Sequence, residues 1–179
     1  QRKIICFSPD FLRILQKELL IMKEAPVLAI VVPCYKEEAV LHETSKQMLE
    51  LFGEMKNDGL INDNSRIVFV DDGSKDKTWS IIDELTKAHT EISGIKLAKN
   101  AGHQNALFGG LMTVKDDCDC AISIDADLQD DIHVIPDMVR NFIDGYDVVY
   151  GVRNKRDTDT FFKRTTAIGF YKLMQFMGV

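Results

Sequence analysis

Asp125-Ala126-Asp127 closes the apolar run Ala121-Ile122-Ser123-Ile124, so two carboxylates one residue apart stand where a strand should end. Such a run reads as a buried strand, and open α/β sheets bind their ligands at the carboxyl ends of their strands. Two oxygen donors there suit a hard divalent cation, which in turn holds phosphate oxygens. The stretch runs on through Leu128-Gln129-Asp130-Asp131, with four acids and an amide in seven residues and no Lys or Arg. Like charges so close repel unless a cation neutralises them, which favours a metal over salt bridges. His133, just beyond, reads as a surface residue rather than a ligand.

Other strand ends are loaded too. Pro33-Cys34-Tyr35-Lys36-Glu37-Glu38 follows the first apolar run. Pro33 stops the strand, Tyr35 offers a flat face to a base, and Glu37 can accept hydrogen bonds from a base or ribose. The same acids would equally suit a helix N-terminus, where the macrodipole favours negative charge. Asp71-Asp72-Gly73-Ser74-Lys75-Asp76 follows the second run. There Gly73 permits a tight turn and Ser74 or Asp76 can cap the next helix. Capping accounts for one or two acids but not for a pair at the strand end, where a carboxylate can accept from the N–H edge of a base.

Asn100-Ala101-Gly102-His103-Gln104-Asn105 follows the third run. His103 at a helix start, beside exposed backbone N–H groups, could contact a diphosphate. Gly109-Gly110 within that helix suggests close packing. The last junction has the opposite sign: Gly151-Val152-Arg153-Asn154-Lys155-Arg156, then Asp157, Asp159, Lys163 and Arg164. Arginine forks hold phosphate bidentately, so a basic cluster facing an acidic metal site suits a reaction between two phosphate-bearing molecules. A solvated loop is the plainer alternative.

The elements that would position these groups alternate regularly. Strands are predicted at Val27–Val32, Ile67–Val70, Ile95–Ala98, Ala121–Ile124 and Asp147–Tyr150. Helical periodicity links Val40, Leu41, Thr44, Met48, Leu51, Phe52 and Met55, closed by Asn57-Asp58-Gly59. It recurs at Ile81, Ile82, Leu85 and Ala88, from Gln104 to Val114, through Ile135, Met138, Val139, Phe142 and Ile143, and from Thr160 to the end. Alternation of this kind specifies a doubly wound, mainly parallel α/β sheet flanked by helices.

At 179 residues, with 45% hydrophobic and 28% charged residues, one folded domain is expected. Residues 1–21 read as an amphipathic extension, with Arg13, Lys17 and Glu18 interrupting the apolar positions, and Met22 as the natural start. The domain proper is then 22–179. Net charge of −6 without a basic patch argues against nucleic acid. The four cysteines, Cys6, Cys34, Cys118 and Cys120, lack zinc-finger spacing and read as reduced thiols in a cytosolic setting. Cys118-Asp119-Cys120 could be a redox or metal pair, but a helix-to-strand junction is the better reading. No stretch reaches the roughly 18 uncharged apolar residues of a membrane span.

In order, VVPCYKEE, VFVDDGSKDKT, KNAGHQNA, SIDADLQDD and YGVRNKRDTDTFFKR resemble the family 2 glycosyltransferases of the GT-A, Rossmann-like fold. The nearest likeness is to the polyprenyl-phosphate type, that of dolichyl-phosphate mannose synthase and undecaprenyl-phosphate glucosyltransferase. The resemblance runs from Val27 to the C-terminus. It implies that Pro33, Tyr35, Glu37 and Asp72 line a nucleotide pocket, with Asp71 beside them and Asn100 and His103 near the diphosphate. Asp125, Ala126 and Asp127 would form the DxD element binding the donor through Mg²⁺ or Mn²⁺, with Gln129 near the metal. Arg153, Arg156 and Arg164 would hold the acceptor phosphate, and Asp159 would lie close to the reacting centre.

The implied reaction is inverting transfer of a sugar from a UDP- or GDP-sugar to a polyprenyl phosphate at the cytoplasmic face of the membrane. A phosphate monoester, with a second pKa of about 6, is already anionic and needs positioning more than a general base. A sugar hydroxyl would need one, for which Asp159 or Asp130 would serve. Relatives are expected to continue past Val179 with an acceptor-side segment and membrane-associated helices. The apolar groups of the last helix, Phe161 to Met177, read equally as core or as a surface near the bilayer. The alternatives are a soluble family 2 enzyme acting on a saccharide hydroxyl and a catalytically silent nucleotide-sugar-binding homologue. A dinucleotide dehydrogenase is disfavoured because no G-x-G-x-x-G follows the first strand. A homo-oligomer is left open.

Overall fold

The computed structural model describes residues 25–152. By internal contacts the chain divides into a unit ending at Val149 and a second running from Tyr150 to Val179. Of the second, residues 150–152 are described, and Tyr150 and Val152 are exposed. The sheet belongs to the first unit. Arg153, Arg156, Asp159, Arg164, the last helix and the N-terminal extension lie outside the described residues.

Strand β1 (Leu28–Cys34) is buried at all seven positions, as a strand covered on both faces must be. It pairs in parallel with β2 (Arg66–Asp71), which pairs in parallel with β3 (Ile92–Lys96). On its other side β1 pairs in parallel with β4 (Cys120–Ser123), giving the order β3-β2-β1-β4. Helices α1 (Leu41–Asn57), α2 (Thr78–Ala88) and α3 (His103–Val114) connect successive strands. A 3₁₀ turn (Ile132–Val134) and α4 (Ile135–Ile143) follow β4.

Alternate residues of β1 feed two cores. Leu28, Ile30 and Val32 pack with buried side chains of α1, α2 and α4, among them Met48, Phe52, Ile82 and Val139. Ala29 and Val31 pack with Val68, Val70 and the α3 residues Ala106 and Val114. Helix α3 lies close on its face of the sheet. A Cβ at Gly110 would stand 2.5 Å from Val31 Cγ1 and 2.8 Å from Val70 Cγ2. Close packing was expected of both glycines; among the described residues a Cβ at Gly109 would meet nothing within 4 Å, so there it concerns Gly110.

Two expectations need correction. Strand β3 begins at Ile92, three residues ahead of the predicted Ile95. Gly94 weakens the strand signal in the sequence, yet a Cβ there would lie 2.7 Å from Ile82 Cγ2, so α2 needs the gap. The strand predicted at Asp147–Tyr150 does not form. Val148 and Tyr150 have the right side chains, but β-propensity is realised only against a partner, and among the described residues they have none; both are exposed.

Candidate functional site

From β1 the chain winds outward to β3, then returns to the opposite side of β1 for β4. That reversal places a topological switch point between β1 and β4, where a crevice opens beyond the carboxyl ends of the strands. All four strand-to-helix junctions meet there. Pro33, Cys34, Tyr35 and Glu37 come from the first, Asp72 from the second, Asn100, Gly102 and His103 from the third, and Asp125, Ala126 and Asp127 from the fourth.

Side chains of one junction hold the backbone of the next. The N–H of Lys36 donates to Ser74 Oγ (3.0 Å) and that of Glu37 to Thr78 Oγ1 (2.9 Å). In return the N–H of Lys77 donates to Glu38 Oε2 (2.8 Å). Lys36 is held in the left-handed region at φ +62°, and its Nζ sits 5.1 Å from the centroid of the Tyr35 ring. Asp76 Oδ1 caps Thr78 N–H (3.2 Å), so of the two expected capping residues Ser74 is the one diverted to the neighbouring loop. Ser74 and Thr78 were missed as site-formers because a hydroxyl after Asp-Asp-Gly looks the same in sequence whether it caps its own helix or holds another loop.

The second junction carries the third. Asp72 is buried, and its two oxygens accept the N–H groups of Ala101 (2.6 Å) and Gly102 (3.0 Å). Gly73, at φ +65°, presses so close to this loop that a Cβ would lie 2.5 Å from the nitrogen of Asn100. Asp72 therefore lines the crevice while serving as a strut beneath it. Asp71 is fully buried and outside the crevice lining, with Oδ1 accepting from Ser74 N–H (3.1 Å) and Oδ2 without a hydrogen-bond partner among the described residues.

The acid pair faces outward. Asp125 and Asp127 are exposed, whereas Ala126 between them is buried against the core. His103 Nε2 stands 3.7 Å from Asp125 Oδ1. Asp127 Oδ1 accepts the N–H of Gln129 (3.1 Å) across Leu128, which sits at φ +54°. Gln129 itself is exposed and outside the crevice lining. Among the described residues no three His, Cys, Asp or Glu side chains are placed to share a metal ion.

Partial burial holds the carboxyl of Glu37 above the usual carboxylate range, and the charges of Asp127, Asp76 and Asp125 push it further. A raised folded-state pKa costs stability that appears as pH rises through the unfolded value near 4.5 and persists above the folded one. Glu37→Gln should therefore raise the thermal midpoint at pH 7, with the gain vanishing below about pH 4. Thermal melts of both proteins across pH 3.5 to 8 would show this, and a pH-independent difference would refute it.

At the amino end of β4 the side-chain and main-chain groups of Asp119 tie β4 to β1. Val27 N–H donates to Asp119 Oδ2 (2.8 Å), and Asp119 N–H donates to the Val27 carbonyl (2.9 Å). The flanking thiols are free, and burial raises both, Cys120 to about 11. Such thiols are poor nucleophiles, in keeping with a junction rather than a redox pair.

The family model described as "Glycosyl transferase family 2" matches residues 29–178, from β1 through all five quoted motifs. The chain belongs to glycosyl transferase family 2. The YkoT glycosyltransferase of Bacillus subtilis is 54% identical over 88% of this chain and 47% of its own length. Its compatriot YkcC is 39% identical over 83% and 44%. A prophage bactoprenol glucosyl transferase homolog of Escherichia coli is 39% identical over 82% and 45%. The chain thus spans about half the length of the curated relatives it matches. Among solved structures, Staphylococcus aureus TarS aligns with 56% of this chain and 16% of its own at 19% identity and a TM-score of 0.44, too slight to add to the sheet itself. The parallel, helix-flanked sheet with its crevice at the switch point is the GT-A arrangement that family 2 membership calls for.

Proposed function

We propose that this chain carries the donor half of a metal-assisted, inverting transferase that moves a sugar from UDP or GDP to a polyprenyl phosphate. The observation behind this reading is one crevice that joins Tyr35, Glu37 and Asp72 to the Asp125–Asp127 pair. One side offers an aromatic face and acceptors suited to a nucleoside, the other oxygen donors suited to a cation on its diphosphate. Bactoprenol glucosyl transferase is the name given to a Shigella phage SfV relative at 39% identity, and it favours the lipid phosphate as acceptor.

The donor set fits Mg²⁺ or Mn²⁺. These ions take oxygen ligands, and Mg²⁺ typically takes one or two carboxylates and completes its shell with water and substrate phosphates. Asp125 and Asp127 supply two carboxylates, and beside them Glu37 is raised first by burial and then by the charges of Asp127, Asp76 and Asp125. A bound divalent ion would supply Lewis-acid stabilisation of the departing nucleoside diphosphate. Tyr35 stacks on the base and Glu37 accepts from base or ribose. The N-terminus of α3, with Gly102 and His103, faces the diphosphate. The bond from the anomeric carbon to the diphosphate breaks with its electron pair going to the nucleotide. The acceptor phosphate oxygen forms the new bond from the opposite face; the family resemblance assigns that phosphate to Arg153, Arg156 and Arg164 and the reacting centre to Asp159, all outside the described residues. An anionic acceptor has no proton for a base to remove. The reaction so read belongs at the cytoplasmic face of a membrane, where a lipid phosphate meets a cytosolic nucleotide sugar.

A thermal-shift screen of UDP and GDP, each with Mn²⁺ or EDTA, tests this. At 100-fold excess over Kd, one of them should add about 2.7 kcal/mol, or roughly 5–10 °C, with Mn²⁺ only. No metal-dependent shift with either would overturn the reading.

A further inference from the structure

The acid pair is held from behind by a group outside the family motifs. Thr44 lies on α1 and is fully buried, and its Oγ1 stands 2.6 Å from the carbonyl oxygen of Ala126. The carbonyl of Val40 is also within reach at 3.0 Å. The hydroxyl has one proton to give, and of the two oxygens the Ala126 carbonyl is the closer. Ala126 is only 3% exposed, so its carbonyl sits where water has little access.

This bond fixes the peptide plane that joins Ala126 to Asp127. Ala126 turns its methyl into the core, which sends the flanking carboxylates of Asp125 and Asp127 outward into the crevice. On the far side of Asp127 the chain is fixed again, by the left-handed Leu128 packed on the same core and by the Gln129 N–H on Asp127 Oδ1. The spacing of the two carboxylates is thus set between two clamps, and Thr44 is the one contributed by a distant element.

We infer that Thr44 is a positioning residue for the cation-binding pair: its buried hydroxyl on the Ala126 carbonyl sets the separation of Asp125 and Asp127. This rests on the metal-assisted reading above. A valine at this site keeps the shape but leaves a buried carbonyl unpaired, and the peptide turns to find another donor. A serine keeps the hydroxyl.

The test is Mn²⁺ affinity, read from the free-ion electron paramagnetic resonance signal in the presence of UDP or GDP. Thr44→Val should weaken Mn²⁺ binding roughly 10- to 100-fold, the range for groups that orient metal ligands, and Thr44→Ser should stay near wild type. Ser45→Ala is the control, since Ser45 is a buried hydroxyl on the same helix that bonds the His42 carbonyl instead. It should change nothing. Wild-type affinity in Thr44→Val, or equal losses in the valine and serine variants, overturns the role of Thr44. If the valine variant does not fold, the serine variant decides: affinity near wild type supports the role, and a loss beyond about tenfold overturns it. Failure of the wild-type chain to bind Mn²⁺ with either nucleotide would instead overturn the functional reading itself.

Discussion

Asp127→Ala should abolish metal-dependent nucleotide binding and, in a catalytically complete chain, lower transfer by roughly 10²- to 10³-fold, the scale for removing one group that stabilises developing charge. The size follows from how little the protein supplies: two exposed carboxylates, with no third His, Cys, Asp or Glu placed to share an ion among the described residues. Losing one leaves a single ligand. Asp127→Asn makes the sharper test. Its amide oxygen can still accept the Gln129 N–H, so the turn is kept while the charge goes. The same loss in both variants assigns the effect to charge, whereas a benign Asn would assign it to turn geometry. Because Asp127 is exposed, stability should change by less than about 0.5 kcal/mol. Isothermal titration with Mn²⁺ and nucleotide checks the binding, and wild-type affinity in the alanine variant would remove Asp127 from the site.

Asp72→Ala should be the most destabilising single change in the crevice. Two N–H groups, on the exposed Ala101 and the half-buried Gly102, lose a charged acceptor at once. Hydrogen bonds to charged groups are each worth about 1.5–3 kcal/mol, so a loss of about 3 kcal/mol, the low end for the two together, is expected. Asp72→Asn keeps one acceptor and turns an NH₂ toward an N–H, so it should lose about half as much. Nucleotide affinity should fall alongside, because Gly102 and His103 stand on the loop that Asp72 holds. Urea unfolding gives the stabilities, and an alanine variant within about 0.5 kcal/mol of wild type would refute the strut.

Much of this was legible because burial writes itself into sequence locally. The apolar runs of β1, β2 and β4 and the periodicity of α1 to α4 each reflect an element covered on one or two faces, and the polar residues that end those runs mark the crevice. What a single chain cannot display is which backbone group a side chain meets across a long loop. Asp72 reads as a base acceptor, and nothing local shows its oxygens engaged by Ala101 and Gly102. Thr44 reads as one more position on the buried face of α1, and its partner lies 82 residues away. Gly94 hid the start of β3 because the reason for a glycine there is a side chain of α2. Val148 to Tyr150 erred the other way, showing strand chemistry with no partner to realise it.

The pairing of β4 with β1 has a consequence for how the molecule comes into being. Leu28 meets Ser65 across 37 residues, whereas Val27 meets Asp119 across 92. Closing a longer loop costs more chain entropy, and a parallel strand gains nothing until its neighbour is in place. On a growing chain, β1 and β2 can zip together while β4 is still unmade. The acids therefore arrive on a scaffold on which the ends of β1 and β2, with Tyr35, Glu37 and Asp72, already stand. On the proposed reading, a chain halted before that last docking would have the cradle for a base and ribose and no grip on a cation.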